Sequence, residues 1–369
     1  MKKILCFIES LAMGGAEKTA VRLADEWQAM GFEVHIAVVR DGVVCMPTRP
    51  NIRLYALDGT RGSYLRAITS ASQLAREIQP DILVGHMPKG VLLAMIAQVA
   101  HPTARLLGME HSVPTQHYSG LKKFLVRMLM SRGYRRADRI YAVSEGAAAD
   151  MRAWGVPAEK VEALGNPIPV AQLYQSGKQG KSLRRREDVP GLAAVGRLVP
   201  VKGFDVLIRA VSLLKQGGRP VELVLLGDGP ERDRLQALVK ELGLEGLVSL
   251  PGQVASPEPT VMASDLLVCS SHYEGFGNVL VEAMAVGTGV VSSDCPTGPR
   301  EILQNKERLA KPNDPEDLAR VIEFQLNRLD AMTPKARAEL KKSLRYQAQR
   351  FDARLIATRM LAPLLKPSR

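Results

Sequence analysis

Two glutamates, Glu274 and Glu282, stand eight positions apart on either side of a glycine-rich turn in the second half of the chain. The apolar run Leu266–Cys269 before the turn predicts a buried parallel strand, and the apolar residues after it predict a helix. Open α/β sheets bind ligands at the carboxyl ends of their strands, where this turn lies. Gly275 and Gly277 let backbone amides approach an anion, while carboxylates accept hydrogen bonds from hydroxyl groups. The turn therefore predicts a sugar-phosphate site, although glycine and glutamate also occur at ordinary helix starts.

Two cations follow another predicted strand, Leu192–Val195, near the beginning of the same half. Arg197 and Lys202 are five positions apart and lie around the start of a predicted helix. Together they could neutralise a diphosphate, because arginine offers a planar fork of donors and lysine a point charge. Surface arginine and lysine are common, so this interpretation depends on the nearby turn at Glu274.

The elements that must position these side chains alternate between short apolar strands and amphipathic helices in both halves. This alternation predicts an α/β fold of two Rossmann-like, doubly wound parallel sheets that face a cleft. The strands predicted in the first half are Ile4–Ile8, Val34–Val39, Ile82–Val84, Arg105–Met109 and Ile140–Val143. Those of the second half are Leu192–Val195, Leu223–Leu226, Val248–Leu250, Leu266–Cys269 and Gly289–Ser293.

A change of composition after the run Gly165-Asn166-Pro167-Ile168-Pro169 predicts the boundary between the lobes. We place the first lobe at 1–165 and the second at 166–350. Residues 175–188, rich in glycine, lysine and arginine, are interpreted as a linker or exposed basic loop. The last segment, 351–369, has a helical pattern and is expected to return to the first lobe.

Composition narrows the class of protein. The chain has 369 residues, 46% of them hydrophobic, which suits two globular cores. We find no apolar run long enough for a signal peptide or a membrane span. A formal net charge of +12 favours an anionic partner. The cysteines form no CxxC pair and are expected to be thiols in a reducing compartment; they are Cys6, Cys45, Cys269 and Cys295.

These features together resemble the retaining nucleotide-sugar glycosyltransferases of family 4, which have the two-lobed GT-B fold. The resemblance spans nearly the whole chain. Its motifs are Gly14-Gly15, Gly165-Asn166-Pro167-Ile168, Gly196-Arg197 with Lys202-Gly203, and the pair Glu274 and Glu282. By this resemblance the first lobe is the acceptor side and the second binds a nucleotide sugar.

The resemblance also implies roles for individual residues of the second lobe. Arg197 and Lys202 would bind the donor diphosphate, Glu282 the ribose, and Glu274 the transferred sugar. The base would be held by backbone around Gly252 to Val254. The remaining donor-binding residues, which include backbone amides of the turn, are Gly196, Gly275, Phe276, Gly277, Asn278 and Val279.

In the first lobe, the glycines at 14 and 15 would let a loop close over the phosphates or the acceptor. His111, which follows a predicted strand, resembles the family histidine that contacts the donor sugar. Both features also occur as ordinary structural elements, a βα turn and a core histidine.

The run Ser292 to Leu303 is similar to a family branch that assembles bacterial surface polysaccharides, often from UDP-sugars. The expected acceptor is therefore a lipid-linked oligosaccharide or lipopolysaccharide. Pro296, Gly298 and Pro299 also fit a plain turn before a helix, and side chains of this loop are candidates to face the acceptor.

The absence of metal-binding and nucleophile motifs indicates which mechanism to expect. The sequence contains no Asp-x-Asp, no histidine and cysteine cluster with metal spacing, and no Ser-His-Asp signature. We expect neither a metal ion nor a cofactor besides the donor, and charge on the leaving diphosphate would be stabilised by Arg197 and Lys202. Attack on the same face, with the leaving phosphate oxygen accepting the proton, would retain anomeric configuration, as the resemblance implies.

The segment 121–139 carries the strongest charge bias of the first lobe, seven cations against Asp138. An apolar stripe recurs beside them at helical spacing. Such a helix binds anionic membrane surfaces, or packs on a core with a solvated basic face. The first alternative predicts a cytoplasmic protein at the inner face of the cytoplasmic membrane. The cations are Lys122, Lys123, Arg127, Arg132, Arg135, Arg136 and Arg139.

Other functions are open. A dinucleotide-dependent dehydrogenase is disfavoured, because Gly227-Asp228-Gly229 continues to Arg232 where the fingerprint requires glycine. A GDP-mannose-type mannosyltransferase, a nucleotide-sugar epimerase and a phosphorylase could all use the same fold. A non-catalytic partner protein is a further alternative, and no recognised motif supports nucleic-acid binding.

Overall fold

The structure is a computed structural model that describes residues 1–11, 14–39, 50–57, 64–111, 127, 131 and 134–365. The chain forms two compact units. The first contains Met1–Pro167 together with Ala353–Arg369, and the second contains Ile168–Asp352. The sequence boundaries at 165 and 350 fall close to these limits.

The described part of the first unit forms a seven-stranded parallel sheet with the order β3-β2-β1-β4-β5-β6-β7. The order reverses between β1 and β4, which makes that place the switch point of a doubly wound sheet. The strands are β1 Lys3–Ile8, β2 Glu33–Val38, β3 Arg53–Ala56, β4 Ile82–His86, β5 Arg105–Glu110, β6 Arg139–Ala142 and β7 Val161–Ala163. The helices described are Gly15–Ala29, Tyr64–Ile78, Met87–Ala100, Glu145–Ala153 and Ala353–Leu365.

The second unit forms a six-stranded parallel sheet with the order β10-β9-β8-β11-β12-β13. Its switch point lies between β8 and β11, which pair directly. The strands are β8 Gly191–Val195, β9 Glu222–Leu226, β10 Val248–Gly252, β11 Leu266–Cys269, β12 Gly289–Ser293 and β13 Leu309–Ala310. The helices are Val170–Gln179, Phe204–Gln216, Arg232–Glu241, Glu258–Ala263, Asn278–Val286, Pro299–Leu303, Pro315–Asp330 and Pro334–Ala348.

Apolar sequence explains why the central strands form. β1, β4, β9 and β11 are almost fully buried along their length. Strands covered by helices on both faces read as continuous apolar runs, because neither face meets water. β3 is mostly exposed and lacks this signal, so the sequence did not predict it.

The interpretation of residues 175–188 as a linker or exposed loop is wrong for 175–179, whereas 180–188 form no helix or strand and are mostly exposed. Residues up to Gln179 belong to a helix. The Arg184 guanidinium is mostly buried and donates to the Glu222 carboxylate at 3.1 Å and to the Ala263 carbonyl at 2.9 Å. Glu222 also accepts from the backbone N–H of Arg185 at 2.7 Å. A buried carboxylate needs such partners, so this basic stretch is anchored to the sheet.

The helix Ala353–Leu365 belongs to the first unit. Its Ala357 carbonyl accepts a hydrogen bond from Trp27 Nε1 at 3.1 Å, and its Met360 carbonyl accepts from the Tyr141 hydroxyl at 2.9 Å. Both aromatic side chains are fully buried, so each polar atom requires this partner. The last helix thereby completes the core of the first unit.

Candidate active site

The two cations and the glutamate turn of the second unit come from neighbouring strands. β8 leads into Gly196 to Gly203, and β11 leads into Ser270 to Gly277. Because β8 and β11 flank the switch point, both segments emerge at the edge where doubly wound sheets bind ligands. The strand order therefore brings together residues that are about seventy positions apart in the sequence.

Lys202 and Glu274 bond directly, with Nζ 2.6 Å from Oε1. The same oxygen accepts from the Ser271 hydroxyl at 2.7 Å and lies 3.7 Å from the Cys269 thiol. Oε2 of Glu274 has no partner among the residues that the structure describes. One carboxylate oxygen is thus committed to the protein, and the other remains available to accept a hydrogen bond from a ligand hydroxyl.

Burial and neighbouring charges shift the pKa values of Lys202, Cys269 and Cys295. Burial alone would lower the pKa of Lys202, but the Glu274 carboxylate outweighs it and the lysine pKa lies above its ordinary value. Burial, followed by the same carboxylate, raises the pKa of Cys269. Burial and the neighbouring Cys269 raise the pKa of Cys295 to about 12. At neutral pH the Lys202 side chain is therefore charged, and the thiols of Cys269 and Cys295 are protonated.

The Lys202 loop is also held by backbone contacts. Its carbonyl accepts from the Ser270 hydroxyl at 3.0 Å, and the Val201 carbonyl accepts from the His272 N–H at 2.9 Å. Gly203 adopts φ +58°, and a Cβ there would lie 2.3 Å from the Ser270 carbonyl oxygen. Only glycine fits this close approach of the two loops. The loop that carries the Lys202 ammonium is therefore preorganised by these backbone contacts.

Arg197 is placed differently from Lys202. It is exposed, and its side chain has no partner within the described part of the chain. Its loop packs on the segment Gly227–Gly229: the Leu198 N–H donates to the Asp228 carbonyl at 2.9 Å, and a Cβ on Gly227 would lie 1.9 Å from the Gly196 carbonyl oxygen. The structure thus leaves the guanidinium at the switch-point edge without joining it to the lysine–glutamate pair.

The remaining residues predicted for the donor occupy the helix start and the edge of the sheet. The N–H groups of Gly275, Phe276 and Gly277 make no hydrogen bond to any residue that is described. These groups precede the helix Asn278–Val286, which carries Val279 and a half-buried Glu282. The Phe276 ring is buried against Phe351, with centroids 5.1 Å apart, so its side chain belongs to the core. Gly252 ends β10, and half-buried Val254 follows it.

In the first unit, His111 lies at the carboxyl end of β5, beside the end of β4. Its Nε2 is 3.1 Å from Nδ1 of His86, and both rings are desolvated. Burial lowers the pKa of His86 to about 4 and holds that of His111 well below its ordinary value, so both are neutral at pH 7. At the same edge Lys89 pairs with Glu9 at 2.6 Å. Gly14 and Gly15 begin the first helix here.

Comparison with known proteins identifies the chain. Residues 176–347 match the family Glycosyl transferases group 1, and residues 14–167 match the Glycosyl transferase 4-like domain. The lipopolysaccharide core biosynthesis glycosyltransferase LpsE of Rhizobium meliloti is 41% identical over 320 residues, which cover 84% of this chain and 85% of the relative. The chain belongs to the glycosyltransferases of family 4.

Other relatives of this glycosyltransferase agree in fold and family. A Campylobacter jejuni transferase, N-acetylgalactosamine-N,N'-diacetylbacillosaminyl-diphospho-undecaprenol 4-alpha-N-acetylgalactosaminyltransferase, is 29% identical over 323 residues, covering 83% of this chain and 85% of the relative. The structure of Anabaena Alr3699/HepE with UDP-glucose has a TM-score of 0.81 at 23% identity and covers 99% of both chains. The prediction of two parallel-sheet lobes of GT-B type is confirmed.

The basic segment 121–139 of this glycosyltransferase falls mostly outside the described residues, as does Cys45. Three of its cations are described with partners: Arg127, Arg135 and Arg139 donate to the carbonyls of Ala153, Gly155 and Glu159. These three hydrogen bonds hold the segment from Ala153 to Glu159. Among the described helices, none has the length and apolar character needed to span a bilayer.

The sequence analysis did not single out three hydroxyl-bearing residues of the site, although two of them lie in the run Ser292 to Leu303. Ser271 bonds the Glu274 carboxylate, while Ser293 and Thr297 donate to the Ser271 and Glu274 carbonyls. Serine and threonine are common in loops, so no local pattern distinguishes these three. Ser271 bonds Glu274 within one loop, whereas Ser293 and Thr297 bond a loop that follows another strand. In the ranges described, no group of three or more His, Cys, Asp or Glu side chains forms a metal site.

Proposed function

We propose that this glycosyltransferase moves a sugar, with retention of configuration, from a nucleotide-sugar donor to a lipid-linked oligosaccharide or lipopolysaccharide acceptor in bacterial surface-polysaccharide assembly. The donor is a UDP-sugar and the transferred group a hexose or N-acetylhexosamine. The observation that carries the proposal is the Lys202–Glu274 pair at the switch point of the second sheet, with one carboxylate oxygen still available.

Each side chain has a role that its position supports. The Lys202 ammonium has three donors and gives one to Glu274, which leaves donors for the diphosphate. Exposed Arg197 adds a second cation, and the N–H groups of Phe276 and Gly277, which have no partner among the described residues, add donors aligned with the dipole of the helix Asn278–Val286. Glu282 binds the ribose, and Glu274 Oε2 a sugar hydroxyl.

Catalysis in this proposal is leaving-group stabilisation plus positioning. As the bond between the anomeric carbon and the diphosphate oxygen breaks, negative charge grows on the phosphates, and fixed cations stabilise that charge more in the transition state than in the ground state. The acceptor hydroxyl attacks from the side that the diphosphate leaves, and its proton passes to a leaving phosphate oxygen. Neutral His111 serves as a hydrogen-bonding group for the sugar. Arg197 and Lys202 stabilise the diphosphate charge in place of a metal ion.

Relatives support the choice of substrates. The Campylobacter jejuni protein is named for a diphospho-undecaprenol acceptor, and the Rhizobium meliloti protein for lipopolysaccharide core biosynthesis. Anabaena Alr3699/HepE was crystallised with UDP and with UDP-glucose. A lipid-linked glycan acceptor and a uridine nucleotide fit these precedents.

A donor panel tests the proposal. Purified protein is titrated with UDP- and GDP-linked hexoses and N-acetylhexosamines, and donor hydrolysis without acceptor is followed with and without EDTA. We expect one UDP-sugar to bind and to be hydrolysed slowly, equally with EDTA, and to release a sugar with the donor's anomeric configuration. A response to GDP-mannose alone would favour a mannosyltransferase, an isomerised donor an epimerase, and no response at all a non-catalytic partner.

The membrane role proposed for the segment 121–139 has a separate test. Three of its cations, Lys122, Lys123 and Arg132, are changed to glutamine and binding to anionic vesicles is measured by cosedimentation. We expect affinity to fall roughly 100-fold, since each cation contributes about 1 kcal/mol, and wild-type binding to weaken as salt rises. A matched control changes Lys335, Lys341 and Lys342 of the second unit. Equal losses in both triple variants, or no binding at low salt, would contradict a membrane role for this segment.

A further inference from the structure

The segment Ser293 to Gly298, at the carboxyl end of β12, lies against the loop that carries Glu274. Two buried hydroxyls make the contact: Ser293 donates to the Ser271 carbonyl, and Thr297 donates to the Glu274 carbonyl. A Cβ on Gly298 would lie 1.8 Å from the Phe276 carbonyl oxygen. The Thr297 side chain therefore faces the loop that carries Glu274, and an acceptor facing other side chains of the run Ser292 to Leu303 stays a prediction.

The Thr297 hydroxyl fixes a peptide plane. In a trans peptide the carbonyl and the following N–H point in opposite directions. With the Glu274 carbonyl held by Thr297, the N–H of Gly275 points away from the Ser293 to Gly298 segment. That N–H has no acceptor among the described residues, so it is available to a ligand.

The same contact fixes the start of the Glu274 side chain. Glu274 Oε1 is held at its far end by Lys202 and Ser271, and the backbone from which the side chain projects is held by Thr297. The Ser271 backbone is in turn held by Ser293. The direction of the available Oε2 is thus set by contacts at both ends of the residue.

We propose that Thr297 is a positioning residue of the transfer reaction: through the Glu274 carbonyl it orients the Glu274 carboxylate and the Gly275 N–H toward the sugar-bearing part of the donor. The identity of the ligand rests on the proposed function. Arg197 and Lys202 are carried by a different loop, and Lys202 also holds Glu274 Oε1, so we expect loss of the Thr297 hydroxyl to weaken contacts with the sugar more than contacts with the diphosphate.

Thr297→Val removes the hydroxyl and preserves the shape of the side chain, while Thr297→Ser keeps the hydroxyl. Binding is measured for UDP against UDP-glucose, and for GDP against GDP-mannose. In Thr297→Val we expect affinity for the sugar nucleotide and its kcat/KM to fall about tenfold, the effect of one hydrogen bond. We expect affinity for the bare nucleoside diphosphate to change less than about twofold. Thr297→Ser should restore most of the loss.

Thr288→Val is the matched control. Thr288 is also buried in the second unit and donates to a backbone carbonyl, that of Val261, at 2.7 Å. It precedes β12, at the opposite end of that strand from Thr297. We expect its Tm to fall as in Thr297→Val while binding of both ligand types stays at the wild-type level.

A second measurement needs no donor. The amide resonance of Gly275 should shift or broaden in Thr297→Val, return in Thr297→Ser and be unchanged in Thr288→Val. An unchanged resonance, or equal weakening of sugar nucleotide and bare nucleotide, would overturn the positioning role. Absence of nucleotide binding by the wild type would instead overturn the proposed function, and the Gly275 resonance would still decide whether Thr297 orients the loop.

Discussion

Replacing Lys202 with alanine is expected to lower turnover by about 10²- to 10³-fold, the typical cost of removing one preorganised group that stabilises transition-state charge. Its ammonium is charged at neutral pH because Glu274 raises its pKa against the effect of burial. Charge on the leaving diphosphate grows as the bond breaks, so the loss falls on kcat more than on donor KM. Single-turnover kinetics with the donor identified by the panel measures it.

The control for this variant is Lys215→Ala. Lys215 lies on the helix Phe204–Gln216 that follows the Lys202 loop, and its ammonium donates to the Gly243 carbonyl at 2.8 Å. Both substitutions remove one ammonium and one short hydrogen bond from the same unit. Turnover by Lys202→Ala within about twofold of the Lys215→Ala value would contradict a role for Lys202 in the reaction.

Strands that are covered on both faces were the most predictable part of the fold. β11 and β12 have the limits expected from their apolar residues, and β1, β4 and β9 differ only at their ends. β3, β7 and β13 were missed because β3 is an exposed edge strand and the other two have only three and two residues. A short strand stabilised by its neighbour leaves little periodicity in its own sequence.

The segment 175–188 shows where composition misleads. A run of arginines ordinarily indicates solvent, and Arg186 does pair with Asp188 at the surface. Arg184 is buried because Glu222, 38 positions later, arrives beside it on β9. Nothing near the arginine in sequence contains that information, since the pairing depends on how the sheet is wound.

The candidate site also has a part that the sequence predicts and a part that depends on the folded sheet. The turn and the cations were predicted as separate ligand contacts from their residue types. That Lys202 and Glu274 bond each other depends on β8 being adjacent to β11, which is a property of strand order. The Thr297 hydroxyl belongs to the same category, because it acts across two loops that meet only in the folded sheet.

Glu274→Ala is expected to reduce turnover by about 10³-fold, for two reasons that act together. The sugar loses the acceptor at Oε2, and Lys202 loses the carboxylate that holds its ammonium at 2.6 Å. Glu274→Gln keeps an acceptor but not the charge, so its turnover should lie between those of the alanine variant and the wild type. Steady-state kinetics on both variants separates the two contributions.

Glu258→Ala provides the comparison, because Glu258 is another carboxylate of the second unit that accepts from a serine hydroxyl, that of Ser176 at 3.1 Å. Its removal should leave turnover unchanged. Since Lys202 and Glu274 act as a bonded pair, the double variant Lys202→Ala with Glu274→Ala should be little worse than the more damaging single variant. Fully additive losses would mean that the two side chains serve the reaction independently, and that the 2.6 Å contact is broken before the donor reacts.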